Sequence, residues 1–285
     1  MSIYISVVSH GHAELIKELK SIESLVNDFI VVVKSNKPGD NFESFIGCKN
    51  FHWLDTNYYS GFGENNNLVF KYCIEQLDMR GSDIFIVLNP DVIIEPSTIL
   101  TLVNNMIFNK DLIASINLFK DFGFREYDNS IRKFPTLMQF IKSFLRIGNS
   151  SVLNKSELSS PCIVDWAAGS FLALFASHYY KLRGFNEKYF MYCEDIDICY
   201  RSFKLNAPVK YYPDIKAIHL ANHASRSVFS KHFYWHLSSA FRFMLTKAGL
   251  TKSKSILNMN VVSVDMIDEN KHSNKKNTQT DQNGK

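Results

Sequence analysis

The opening of the chain fixes the kind of fold available to it. Residues 3–8 and 29–33 are short apolar runs rich in β-branched side chains, the pattern of strands buried on both faces of a parallel sheet. Between them Leu15, Ile16, Leu19, Ile22 and Leu25 fall at helical spacing. A strand, a helix and a second strand in that order predict an α/β domain whose ligands meet one edge of the sheet. The pattern continues with a helix over 64–78, a buried strand over 84–88, and a helix over 97–108 that Pro96 is well placed to start. At 285 residues the chain suits one large domain or a domain with an appendage.

Strand 84–88 runs into Asn89-Pro90-Asp91. An acid at that edge can hold Mg²⁺ or Mn²⁺, which neutralises a diphosphate; an ordinary Asn-Pro turn is the plainer account. The loop Tyr58-Tyr59-Ser60-Gly61-Phe62-Gly63-Glu64-Asn65-Asn66-Asn67 offers glycines for close backbone approach to a ligand and amides that donate and accept hydrogen bonds. Gly and Asn also make common turns and caps. The densest chemistry lies in Tyr192-Cys193-Glu194-Asp195-Ile196-Asp197-Ile198-Cys199-Tyr200-Arg201, approached through Phe185, Tyr189 and Phe190. Capping and the Asp197–Arg201 pair explain one or two of these acids better than three. Crowding of the remainder suits holding at least one carboxylate as a tuned proton acceptor. His219 ends Lys216-Ala217-Ile218-His219; a lone His is more often structural, but beside a metal-bound diphosphate it could be a ligand.

Several classes are disfavoured. A net charge of +4 is mild, and no zinc-knuckle, recognition-helix or RNA-binding signature is present. The five cysteines form no CxxC pair, which points to reduced thiols in a cytosolic protein. The apolar start reads as a core strand, not a signal peptide, and no stretch approaches the roughly 18 apolar residues of a membrane span. Two segments, 134–147 and 227–250, carry aromatic and apolar faces with basic neighbours such as Lys142, Arg146, Lys231, Arg242 and Lys247. Such faces suit docking on a bilayer surface or packing on the core. Beyond about residue 263 periodicity fades and a disordered polar tail is expected. The expected division is therefore a catalytic domain over 1–225, an amphipathic helical segment over 226–262, and a tail over 263–285.

Taken together, the strand-ending Asn89-Pro90-Asp91, then Gly169-Ser170-Phe171, Gly184 to Tyr192, Glu194-Asp195-Ile196-Asp197, Arg201 and His219 resemble the inverting glycosyltransferases of family 2. The resemblance spans roughly residues 3 to 247. Within the family the chain looks most like the bacterial O-antigen rhamnosyltransferases, through Ser9-His10-Gly11-His12, Gly61-Phe62-Gly63, Asn65-Asn66-Asn67, Arg132-Lys133-Phe134-Pro135 and Asp165 to Phe171. It implies the GT-A fold, a mixed, mostly parallel sheet flanked by helices with a Rossmann-like nucleotide-binding half and a C-terminal helical appendage.

By the same resemblance Asp195 is the catalytic base and Glu194 its acidic neighbour, and in that role Asp195 is expected to have its proton affinity raised by the proximity of Glu194 and Asp197. Asp91 is the metal-binding acid of an Asp-x-Asp motif whose first position is here Asn89, and His219 reaches the metal or the diphosphate. Ser9, Gly61, Phe62, Gly63, Asn66, Asn89 and Asp91 line the donor; Trp166, Gly169, Ser170 and Tyr192 line the acceptor. The implied cofactor is Mg²⁺ or Mn²⁺. The implied partners are a dTDP-sugar donor, dTDP-L-rhamnose, and a lipid-diphosphate-linked N-acetylglucosamine acceptor at the cytoplasmic face of the bacterial inner membrane, where the enzyme would be peripheral. A UDP-sugar donor such as UDP-galactofuranose, a metal-dependent phosphohydrolase and a non-catalytic sugar-nucleotide-binding protein are the rival readings.

Overall fold

The computed structural model describes residues 1–144, 151–221 and 231–257. In chain order the elements are β1 (Ile3–Ser9), α1 (Ala13–Leu19), α2 (Leu25–Asp28), β2 (Ile30–Ser35), β3 (Phe51–Leu54), α3 (Phe62–Gln76), β4 (Ile84–Leu88), β5 (Val92–Ile93), α4 (Pro96–Asn109) and β6 (Ile113–Phe119). They continue with β7 (Ile131–Arg132), α5 (Leu137–Phe144), β8 (Cys162–Val164), β9 (Trp166–Ala167), β10 (Phe171–Phe175), α6 (Ala176–Lys181), α7 (Glu194–Lys204), β11 (Val209–His219) and α8 (Lys231–Lys247).

The main sheet has the order β3-β2-β1-β4-β10-β6-β11-β5, with β8 added on β11. β3, β2, β1 and β4 are parallel, as are β6 and β11; β10 lies between β4 and β6, antiparallel to both. This is the mixed, mostly parallel sheet expected from the sequence. Alternate side chains along one strand feed two cores. On β4, Phe85 and Val87 pack with Val69, Phe70 and Cys73 of α3, whereas Ile84, Ile86 and Leu88 pack with Ile99, Leu102, Val103 and Met106 of α4. Helices therefore cover both faces.

The expected helix over 15–25 is broken. Lys20 takes a left-handed conformation (φ 51°) that closes α1, and α2 starts afresh at Leu25. The helix expected over 64–78 runs from Phe62 to Gln76, because Gly61 in extended conformation sets its start and Asp78 (φ 53°) turns the chain out. Segment 134–147 begins its helix only after Pro135, at Leu137; Phe134 instead packs edge-on against Tyr200 and Phe203. On α8, Ser239, Ala240 and Phe243 are buried, whereas Tyr234, Leu237 and Phe241 are exposed. One face packs on the domain and the other is open. No helix among the described residues is long and apolar enough to cross a membrane, and the expected tail lies outside them.

One buried amide ties α3 to the segment that leads to the acids. Asn67 is fully buried; its Oδ1 accepts from the Tyr179 hydroxyl (2.8 Å) and the Phe185 N–H (2.9 Å), and its Nδ2 donates to the Phe185 carbonyl (2.9 Å) and Glu187 (3.0 Å). Gly184 beside it has φ +59°, and a Cβ there would fall 2.1 Å from the Asn67 oxygen. Asn67→Ala strands several buried polar groups and should cost about 2–4 kcal/mol in a urea titration. A loss below about 1 kcal/mol would mean these groups find other partners.

Candidate active site

The parallel strands end at one edge of the sheet. β10, running the other way, begins there. That edge collects Ser9 at the end of β1, Asn89-Pro90-Asp91 after β4, Gly169-Ser170 before β10 and His219 at the end of β11. The Asn89 N–H donates to the Ser170 carbonyl (3.0 Å), and the Gly169 N–H donates to Asp195 Oδ2 (3.2 Å). Two hydrogen bonds and one short loop thus connect the Asp195 carboxylate to the strand end that carries Asp91.

The close approaches expected of the glycines are made to the chain itself. A Cβ on Gly61 would fall 2.6 Å from the Phe190 carbonyl oxygen, one on Gly63 2.6 Å from the Phe185 Cβ, and one on Gly169 2.9 Å from the Phe62 ring. The Phe62 N–H donates to the Phe190 carbonyl (3.1 Å). These contacts draw the 61–63 loop, the 168–170 loop and the start of α7 together. Asn66, expected to line the donor, is fully buried. Its amide accepts from the Ser6 hydroxyl (2.7 Å) and donates to the Phe62 carbonyl (3.0 Å), so it braces the loop from beneath. Ser9 is likewise buried and its hydroxyl accepts from the His12 N–H (2.9 Å). Trp166 donates its indole N–H to the Lys133 carbonyl (3.0 Å) and lies under the Arg132 guanidinium; Tyr192 is half-buried and meets His236 of α8 edge-on. The Ser170 hydroxyl is buried without a partner among the described residues.

Tyr192 (φ 72°) and Cys193 (φ 64°) are consecutive left-handed residues without glycine's freedom, and they turn the chain sharply into α7. The helix then presents its acids in separate environments. Asp197 is fully buried and paired with Arg201 at 2.7 Å; Arg201 also donates to the carbonyls of Leu182 and Gly184. Asp197 is structural, as its i,i+4 spacing predicts. Glu194 is buried with one carboxylate oxygen unpartnered among the described residues; burial, and then the charge of Asp195, push its pKa well up. Asp195 is only half-buried by surface area. Burial also raises its pKa, opposed by the N–H groups of Ile196 and Gly169 and by Arg132. The expected cause, like-charge proximity, acts chiefly on Glu194; for Asp195 desolvation dominates.

Across the edge, His219 Nε2 stands 3.4 Å from Asp91 Oδ1 and its Nδ1 2.7 Å from Asp128 Oδ2. Burial lowers the imidazole pKa, but the two carboxylates overcome that and raise it to about 9. Burial works against ionisation of Asp91 and is more than offset by His219, which leaves the carboxyl below its ordinary range. The family resemblance assigns His219 and Asp91 to the same metal or diphosphate, and the fold brings them together. Among the described residues no three His, Cys, Asp or Glu side chains form a self-sufficient metal cage. The Asp91 oxygen and, once its Nε2 proton is displaced, the His219 nitrogen facing it fit a divalent cation that takes its other ligands from water and a substrate diphosphate.

Sequence reading misses Asp128 and Lys155 at this edge, and it notes Arg132 only as part of the Arg132-Lys133-Phe134-Pro135 run, with no role at the acids. Asp128 lies in an irregular stretch after β6, and only the folded chain reveals that it orients the imidazole. Arg132 of β7 contributes positive potential at Asp195. Lys155 is buried, bonded to the Leu118 carbonyl (3.1 Å) and Ser130 (2.8 Å), and burial brings its pKa down to about 7 against the pull of Asp128.

No family model matches the chain. It is 38% identical over 252 residues to rhamnosyltransferase WbbL of Escherichia coli strain K12, covering 86% of this chain and 93% of that protein. It is 32% identical over 81 residues to the N-acetylglucosaminyl-diphospho-decaprenol L-rhamnosyltransferase of Mycobacterium tuberculosis, which is 28% of this chain and 26% of that protein. Among solved structures, GalNAc-T7 with UDP, GalNAc and Mn²⁺ superimposes with a TM-score of 0.54 at 9% identity, covering 81% of this chain and 46% of that one.

Proposed function

Because the chain belongs to the family 2 inverting glycosyltransferases of GT-A fold and is a relative of the rhamnosyltransferases, we propose that it transfers L-rhamnose from dTDP-L-rhamnose to a hydroxyl of polyprenyl-diphosphate-linked N-acetylglucosamine. The observation that carries the reading is the junction at the sheet edge, where Gly169 holds Asp195 on one side and Ser170 holds the Asn89-Pro90-Asp91 strand end on the other. It gives one acid to an acceptor hydroxyl and one ionic cluster to a donor diphosphate. The lipid-linked acceptor is supported by the name of the mycobacterial relative.

Asp195 takes the proton of the acceptor hydroxyl as its oxygen attacks the anomeric carbon. The bond from that carbon to the diphosphate oxygen breaks on the opposite face, so configuration inverts. Glu194, whose raised pKa keeps it protonated to higher pH than an ordinary glutamate, limits repulsion beside the ionised Asp195. His219, held by Asp128, places positive charge where the diphosphate departs. With its Nε2 deprotonated, His219 together with Asp91 would instead hold a divalent cation, Mg²⁺ or Mn²⁺, which would supply Lewis-acid neutralisation in place of the imidazolium charge. The half-exposed Asp195 and the orphaned Ser170 hydroxyl are the groups on the acceptor side with capacity to spare.

The acceptor requires a peripheral position at the cytoplasmic face of the inner membrane. The exposed face of α8, with Tyr234 at 70% and Phe241 at 66% accessibility, supports that placement, with 226–262 as the docking segment. The test is a panel of nucleotide sugars with Mg²⁺ or Mn²⁺ and a synthetic lipid-diphosphate N-acetylglucosamine acceptor, followed by linkage analysis. Product should form from dTDP-L-rhamnose and fall at least about tenfold on chelation. Turnover of UDP-galactofuranose instead would replace the donor, and release of free sugar faster than transfer would make the protein a hydrolase.

A further inference from the structure

Along α7, from Asp197 to the helix end at Lys204, lies a cavity of about 520 Å³ walled by Arg183, Lys204, Lys247 and Lys252. Its one acid is Asp197, which Arg201 neutralises at 2.7 Å. None of the four wall cations makes an ion pair among the described residues. Cations at helix C-termini complement the helix dipole. That accounts for Lys204, the last residue of α7, and Lys247, the last of α8. It does not account for Arg183, which reaches the cavity from a left-handed backbone position (φ 57°), or for Lys252, which lies beyond α8.

Neutral donors join the charges. Asn186 is 2% exposed and lines the cavity; its Oδ1 accepts from the N–H groups of Lys188 (3.2 Å) and Lys254 (3.0 Å), and its NH₂ has no partner among the described residues. Thr251 lines the wall too, with its hydroxyl bonded to Thr246 at 2.7 Å. An amide donor open to the cavity, among four exposed cations without ion-pair partners among the described residues, suits a compact anion with several acceptor oxygens. Lys204 lies about 14 Å along the helix from Asp195, at about 1.5 Å per residue. One phosphate cannot serve both places.

We propose that this cavity is a second anion site, one that binds a phosphate group. The proposal does not rest on the transferase reading, since binding there is measured without turnover. The chemistry is common to free phosphate and to the headgroup of an anionic lipid, and the experiment separates them. The full chain is titrated with inorganic phosphate by calorimetry, and separately sedimented with phosphatidylglycerol vesicles, with phosphatidylcholine vesicles as the neutral control. Each is repeated on Lys204→Ser/Lys252→Ser, two exposed lysines, and on Lys49→Ser/Lys110→Asn, which removes equal charge elsewhere. In at least one arm the cavity variant should lose about tenfold or more in affinity, while the control variant stays within about twofold. Loss confined to the vesicle arm identifies a lipid headgroup, and loss with inorganic phosphate identifies the free anion. No binding in either arm, or equal weakening of both variants, overturns the proposal.

Discussion

Replacing Asp195 by Asn should lower the rate of sugar transfer by about a thousandfold and leave donor affinity within about threefold. The side chain keeps its shape, and its remaining carbonyl oxygen, turned toward Gly169, can still accept from that N–H at the expense of the one from Ile196, so the loop that leads to Asn89 stays in place. What is lost is the proton acceptor. Single-turnover kinetics with saturating donor isolate that step, and calorimetry with the nucleoside diphosphate reports donor binding. Loss of binding in a folded variant would move Asp195 to the donor side and sink the base assignment. The pH profile supplies an independent reading. The base must be ionised, and burial raises its pKa. The wild-type rate should therefore climb with pH through a limb above the ordinary carboxylate range, and the Asn variant should lose that limb.

Arg201→Met should destabilise the fold by about 3–5 kcal/mol, the cost of leaving a buried carboxylate without its partner. Asp197 is wholly buried, and Arg201 also satisfies the Leu182 and Gly184 carbonyls. Asp197→Asn combined with Arg201→Met removes the stranded charge and should recover a good part of the loss. Urea midpoints of the two single variants, the double variant and the wild type measure this as a cycle. A single variant within about 1 kcal/mol of wild type would show that the carboxylate finds water or protonates cheaply. The pair matters for catalysis only because it anchors the helix whose first turn carries Glu194 and Asp195.

The architecture was largely legible because strands buried on both faces leave unbroken apolar runs, as at 3–8 and 84–88, whose ends mark the functional edge. The local exception, the break at Lys20, was not, since a left-handed residue without glycine or asparagine carries no composition signal. At the site, the family resemblance rather than local spacing singled out Asp195 and His219, whereas Asp197 announced its pairing through Arg201. Asp128 and Lys155 did not stand out. Their partners lie far away in sequence, and a lone acid or lysine in an irregular stretch looks like any solvated charge. The amides Asn65 to Asn67 read as ligand-facing because polarity usually means exposure, yet all three are wholly buried. A buried, internally satisfied polar group is indistinguishable from an exposed one until its partners are known.

The placement of β10 also bears on how the chain is made. Among the described residues it is the sole bridge between the β3-β2-β1-β4 half of the sheet and the β6-β11-β5 half, and it is synthesised after every strand it touches. Until residue 175 has left the ribosome, β4 has one bare edge and β6 lacks both of its neighbours, β10 and the still later β11. Nascent chains halted before that point expose apolar strand edges able to pair with one another, so the stretch of translation that ends at residue 175 is the one in which the unfinished sheet is most open to misassociation.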